Sequence, residues 1–197
     1  MKSNESSLSF TTSYKGITNV LANDIGVSQA FDPSLEKNPK LPIISAKAIW
    51  DTGATTSMIT KALAKKLKLK PISKTTVNGV NHSSLEDTYL VNVFLPNKVL
   101  IHHVRTPQCD KLSGGFDFLI GMDVISSGDL SISHAGGKTK MSFRFPSLGG
   151  IDYVVESRKE TARRKILSKV NRSSPSKGTR LKGKEKRKKQ KLKKKKN

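Results

Sequence analysis

The chain of 197 residues contains one cysteine, Cys109, so no disulfide can close within it. That excludes a disulfide-stapled secreted scaffold and fits a reducing compartment. Hydrophobic residues are 35% of the total, with one tryptophan, below the usual globular share. A modest core diluted by a polar segment follows. No apolar run approaches the length needed to span a bilayer. Met1 to Phe10 is polar and lacks the apolar stretch of a secretory leader. The expected location is therefore cytoplasmic, or nuclear in a eukaryotic host if the basic tail serves as an address. Acidic residues are scarce: 15 Asp and Glu against 37 Lys and Arg, a net charge of +22. The excess is uneven. Glu156 to Asn197 carries 20 basic and 3 acidic residues, whereas the rest of the chain carries 17 and 12. A mildly basic domain with a strongly basic tail is expected, and no internal repeat is visible.

Residues 1–13 are rich in Ser and Thr and are expected to be a disordered N-terminus, with the folded domain spanning 14–147. Gly16 to Phe31 reads as strands, with Asn23-Asp24 as a turn. Three prolines between Asp32 and Pro42 mark a connecting loop. Ile43 to Trp50 reads as a strand that runs into Asp51-Thr52-Gly53. Ile59, Leu63 and Leu67 recur at helical spacing, which predicts a helix over 57–69 with Thr56 or Ser57 as its cap and Pro71 beyond its end. Thr75 to Asn97 reads as strand, hairpin and strand, with Asn78-Gly79 as a tight-turn pair and Asn81 to Ser84 as a second place for the tip. Val99 to Val104 and Phe116 to Ile120 read as further strands, and Met122 to Ser127 as a short helical segment. Leu130 to His134 and Lys138 to Phe145 form a last hairpin around Gly136-Gly137, because Met141, Phe143 and Phe145 alternate with polar residues. The class is all-β with one or two short helices. Residues 148–170 read as a connecting segment with helical potential. Residues 171–197 are Lys/Arg-rich and too poor in apolar groups to offset ordering entropy.

The chemistry is concentrated in Ala48-Ile49-Trp50-Asp51-Thr52-Gly53-Ala54. Two apolar residues feed a carboxylate into a turn. Taken alone, Asp-Thr-Gly is an ordinary turn sequence, in which Asp makes an Asx-turn and Gly supplies a backbone state open to few residues. A second string, Phe118-Leu119-Ile120-Gly121-Met122-Asp123, lies 67 residues downstream. An apolar strand ending in Gly can pass directly behind a loop because Gly admits close backbone approach. Asp123 then stands where a short helix begins and reads as its N-cap rather than as a catalytic group.

Together these motifs resemble the retropepsin-like aspartic proteases, the retroviral proteases and their cellular single-domain relatives. The resemblance covers residues 14–147. It implies a closed β-barrel that supplies half of an active site, completed by homodimerisation, and an aspartic endopeptidase acting on polypeptides through a water held by Asp51 and Asp51 of a second copy. It implies roles for Thr52, whose hydroxyl bonds across the dimer, for Gly53, whose N–H approaches the carboxylate, and for Ala54, which keeps the floor of the site small. Ile120 and Gly121 would support the site from behind. The hairpin of Asn78, Gly79, Val80, Asn81, His82 and Ser83 falls where the family keeps its flap. The chemistry needs no cofactor. A single Asp-Thr-Gly in a domain too short for two lobes leaves the second carboxylate to a twofold-related subunit.

Other signals carry less. His102-His103 with Cys109 and Asp110 suggests a metal, but neighbouring strand residues point to opposite faces and no second Cys/His pair has zinc-like spacing, so no metal is expected. No histidine is tied by sequence to Cys109 as a nucleophile's partner. Residues 157–197 fit non-specific nucleic acid or another polyanion. The absence of interleaved aromatics there argues against reading of bases by stacking. The alternative to an enzyme is a non-catalytic dimerising module of the same fold, binding peptide or nucleic acid, with the tail supplying polyanion affinity.

Overall fold

The computed structural model describes residues 8–32, 34–35, 41–78 and 83–173. They fall into two units, Met1–Gly150 and Ile151–Asn197. In the first, β1 (Leu8–Ser13) precedes β2 (Ala22–Gln29), β3 (Ile44–Trp50) and β4 (Met58–Thr60). Helix α1 (Lys61–Lys66) leads to β5 (Ser73–Asn78), β6 (Ser83–Phe94), β7 (Leu100–Cys109) and β8 (Phe118–Ile120). Helix α2 (Met122–Ile125) is followed by β9 (Asp129–Ser133) and β10 (Lys140–Phe145).

Strands β2-β3-β8-β4-β7-β6 pair in that order, and β2 pairs again with β6, so six strands close into a barrel. Closure leaves no free edge around this ring. Inward alternation along the strands fills it: Val27, Ala48, Ile59, Val91, Val93, Phe118 and Ile120 have no exposed surface. The expected closed β-barrel of mainly β class is what forms. β5 pairs with the first half of β6 outside the ring, from Asn78↔Ser83 to Ser73↔Thr88. A second sheet, β1-β10-β9, packs through aromatic rings. Trp50 lies 5.1 Å from Phe143 between ring centroids, and Phe10 lies 6.1 Å from both.

Four expectations are corrected by these elements. Leu8–Ser13 is a strand, not part of a disordered N-terminus, because Phe10 sits opposite Phe143 and buries its ring. Asn23-Asp24 is not a turn. It lies inside β2, where Asn23 bonds the Trp50 indole. Residues 58–60 form β4 before the helix, since Ile59 and Thr60 are drawn into pairing with β7, and the helix cap is Thr60, whose side chain accepts from Leu63 N. In the second unit, helix α3 (Tyr153–Ser173) realises the helical potential of 148–170 and continues into the stretch expected to be disordered. Residues 174–197, the rest of that tail, lie outside the described residues. No helix among the described residues is long and apolar enough to cross a membrane.

Candidate active site

Strand β3 delivers Asp51. Its alternation buries Ala46, Ala48 and Trp50, and the chain turns immediately after Trp50. The Asp51 amide donates to Ile120 O at 2.9 Å, extending the parallel pairing of Trp50 with Ile120 by one step. The loop then folds on itself. Gly53 N donates to Asp51 Oδ1 at 2.8 Å, and Ala54 N donates to Asp51 O at 3.2 Å. A Cβ on Gly53 would lie 3.2 Å from that same Oδ1, so glycine leaves the carboxylate room. Asp51 is half-buried, whereas Thr52 is exposed and its hydroxyl has no partner among the described residues.

The apolar strand β8 passes behind this loop. A Cβ on Gly121 would come within 2.7 Å of the Thr56 carbonyl carbon, an overlap with backbone that side-chain movement cannot relieve. Met122 N reaches Ala54 O at 2.8 Å and Asp123 N reaches Thr55 O at 3.2 Å. Asp123 is not the N-cap of α2; that position is Gly121. Its Oδ1 instead accepts from Ser57 N at 2.9 Å, Ser57 Oγ at 2.7 Å and Val124 N at 2.9 Å. Sequence reading misses Ser57 in this role, because its partner is 66 residues away. A second brace reaches Trp50: its indole Nε1 donates to Asn23 Oδ1 at 2.9 Å, and Asn23 Nδ2 donates to the Thr12 hydroxyl.

A cleft of about 300 Å³ runs between this loop and β5. Ala54, Thr55, Thr56 and Met58 form one wall, and Thr76 and Val77 face them. Of the flap candidates, Asn78 ends β5 and Ser83 begins β6, joined by a 2.7 Å bond from Ser83 Oγ to Asn78 Oδ1. Gly79, Val80, Asn81 and His82 lie outside the described residues.

Residues 43–124 match the family model of aspartyl proteases. The match takes in β3, the Asp51 loop, β5 to β8 and α2 as far as Val124. Over that stretch the chain is similar to the aspartyl proteases. It is similar to the retropepsin-like aspartic protease from Rickettsia conorii, at 15% identity over 71% of this chain and 96% of that one, with a TM-score of 0.45. It is also similar to the simian foamy virus protease, at 12% identity over 53% of this chain and 92% of that one, with a TM-score of 0.34. None of the curated proteins matches it.

Two other parts of the barrel unit bear on chemistry. A bulge between Val91 and Val93, with His103 at φ +54°, leaves both His102 and His103 exposed, their rings 6.3 Å apart. The opposite-face expectation for this pair is therefore corrected. Among the described residues no three His, Cys, Asp or Glu side chains form a group that could hold a metal ion. Cys109 is half-buried, and burial pushes its thiol up to about 11, which keeps it protonated and weakly nucleophilic at neutral pH.

Proposed function

We propose that the protein is an aspartic endopeptidase whose active site forms where two copies meet, with one Asp51 from each. The observation that carries this reading is the Asp51 loop. Its carboxylate is fixed by its own Gly53 amide, half-open to solvent, and accompanied by no second Asp-Thr-Gly in the chain. A twofold axis through the loop brings the same carboxylate in twice. The exposed Thr52 hydroxyl suits a bond to the other copy's loop.

Two carboxylates a few ångströms apart share one proton, and aspartic proteases are the type case of such a pair. The ionised Asp51 takes a proton from a bridging water as its oxygen attacks the scissile carbonyl carbon. The protonated Asp51 of the other copy donates a hydrogen bond to the carbonyl oxygen as charge builds there. A proton then passes to the amide nitrogen, the C–N bond breaks, and a carboxylic acid and an amine leave. The substrate is an extended polypeptide lying in the cleft between Ala54–Met58 and β5, held by main-chain hydrogen bonds as in strand addition. The β5–β6 hairpin closes over it, and the water itself is the nucleophile. The basic segment 157–197 adds a second contact, to nucleic acid or another polyanion.

Asp51→Asn is expected to leave the dimer intact, measured by sedimentation, and to abolish cleavage of a diverse peptide library across acidic to neutral pH. Pepstatin should inhibit the wild type. Turnover of Asp51→Asn near the wild-type rate would refute the assignment. A wild-type dimer that cuts no peptide would favour the non-catalytic module.

A further inference from the structure

We propose that Asp123 is a positioning residue for the Asp51 loop, acting through Ser57; the inference rests on the endopeptidase reading above. The loop from Asp51 to Ser57 has few internal bonds, so its shape must come from what lies behind it. The backbone of β8 and α2 supplies three ties: Ile120 O to Asp51 N, Ala54 O to Met122 N, and Thr55 O to Asp123 N. These fix the loop as far as Thr55. Ser57 fixes its far end.

Ser57 is fully buried, and its hydroxyl is a relay. Oγ donates to Asp123 Oδ1 at 2.7 Å and accepts from Gly121 N at 3.0 Å. The Ser57 amide donates to the same Asp123 oxygen at 2.9 Å. One carboxylate oxygen therefore holds the Ser57 amide and hydroxyl together with its own helix's Val124 N. Hydrogen bonds to a charged acceptor are about twice as strong as neutral ones. Loss of Asp123 would leave the buried Ser57 amide without an acceptor, which a buried donor does not tolerate. The chain would then shift to find one, and Thr56, which lines the cleft and is held by none of the three backbone ties, would move with it and pull on the loop ahead of it.

The effect on the proposed reaction should fall on the chemical step. β5 and Pro107 line the cleft as well, and Asp123 bonds neither, so part of the substrate contact survives. The Asp51 carboxylate depends on its loop alone. A displacement of about 1 Å in such a group can cost about 100-fold in rate.

The test compares Asp123→Ala with Asp123→Asn in the full chain. Asparagine keeps a carbonyl oxygen that can take the place of Oδ1, whereas alanine keeps none. Asp123→Ala should lower kcat by about 10- to 100-fold while KM changes by less than about threefold. Asp123→Asn should recover kcat to within about fivefold of wild type, since the acceptor is retained and only its charge is lost. Amide hydrogen exchange gives a readout free of catalysis: protection of Ser57 and Gly121 should fall in the alanine variant and be largely restored by asparagine. Unchanged kcat and unchanged exchange in Asp123→Ala would overturn the proposal, as would an asparagine variant damaged as badly as alanine. If Asp123→Ala does not fold, the asparagine variant and Ser57→Ala decide, the latter expected to lose protection at Gly121 while keeping the Ser57 amide bond. A wild type that cuts no peptide would remove the endopeptidase reading, while the exchange arm still tests the link between Asp123 and Ser57.

Discussion

Three groups converge on the carboxylate of Asp129: the Ser147 hydroxyl, the Arg144 guanidinium and the Leu148 amide. The Ser147 bond, followed by those from Arg144 and Leu148, holds its pKa down to about 2 from an ordinary 3.8. A depressed carboxylate pKa contributes stability that is fully present above the unfolded value and is lost as pH falls through the folded one. The window is therefore from about pH 4 down to about pH 2. Asp129→Asn should lower the thermal midpoint at neutral pH, and the gap to wild type should narrow through that window. A gap that stays constant from pH 7 to pH 2 would show that the ionised carboxylate is not what matters. At this scale, legibility from sequence follows locality. Asp51, Gly53 and Gly121 stand in short strings whose neighbours reveal them. Asp129 with Leu148 and Ser57 with Asp123 are pairings made only by the fold.

β1 shows how an element can be hidden by its composition. Leu-Ser-Phe-Thr-Thr-Ser reads as a polar, frayed end, yet hydroxyl residues are good strand formers where one face is solvated. Only Phe10 of the six is buried, and it supplies the ring that joins Trp50 and Phe143. Thr12 adds the bond to Asn23, which in turn holds the Trp50 indole. The first strand is thus linked to the residue before Asp51. Phe10→Ala should destabilise the domain by about 3–5 kcal/mol, the usual cost of removing a buried phenyl ring. Urea unfolding followed by the fluorescence of Trp50, the sole tryptophan, measures this directly. An unchanged midpoint would mean that β1 does not hold this position in solution. Elsewhere β10 was legible from its alternation of Met141, Phe143 and Phe145 with polar residues. The helix after Asp51 starts later than its periodicity predicts, because pairing with β7 and β8 outweighs helical spacing at Ile59.

Over the whole molecule, charge and chemistry are carried by different parts of the chain. The barrel unit holds Asp51, whereas the segment from Glu156 onward holds 20 of the 37 Lys and Arg. Helix α3 is exposed along its described length from Tyr153 to Val170 and presents Arg158, Lys165 and Lys169 at spacings that place them on one side. Each phosphate neutralised by such residues releases a counterion, so the logarithm of affinity should fall with the logarithm of salt by about 0.7 to 0.9 per contact. Removing residues 157–197 should therefore weaken retention on both RNA and DNA and flatten the salt slope, with little preference for sequence. Cleavage of a short free peptide, per folded dimer, should be unchanged, since the described residues that line the cleft all lie between Gly53 and Pro107. Elution of the truncated protein at the same salt concentration as the full chain would place the polyanion contact on the barrel. A parallel loss of peptide cleavage would show that the segment serves the active site as well as the polyanion.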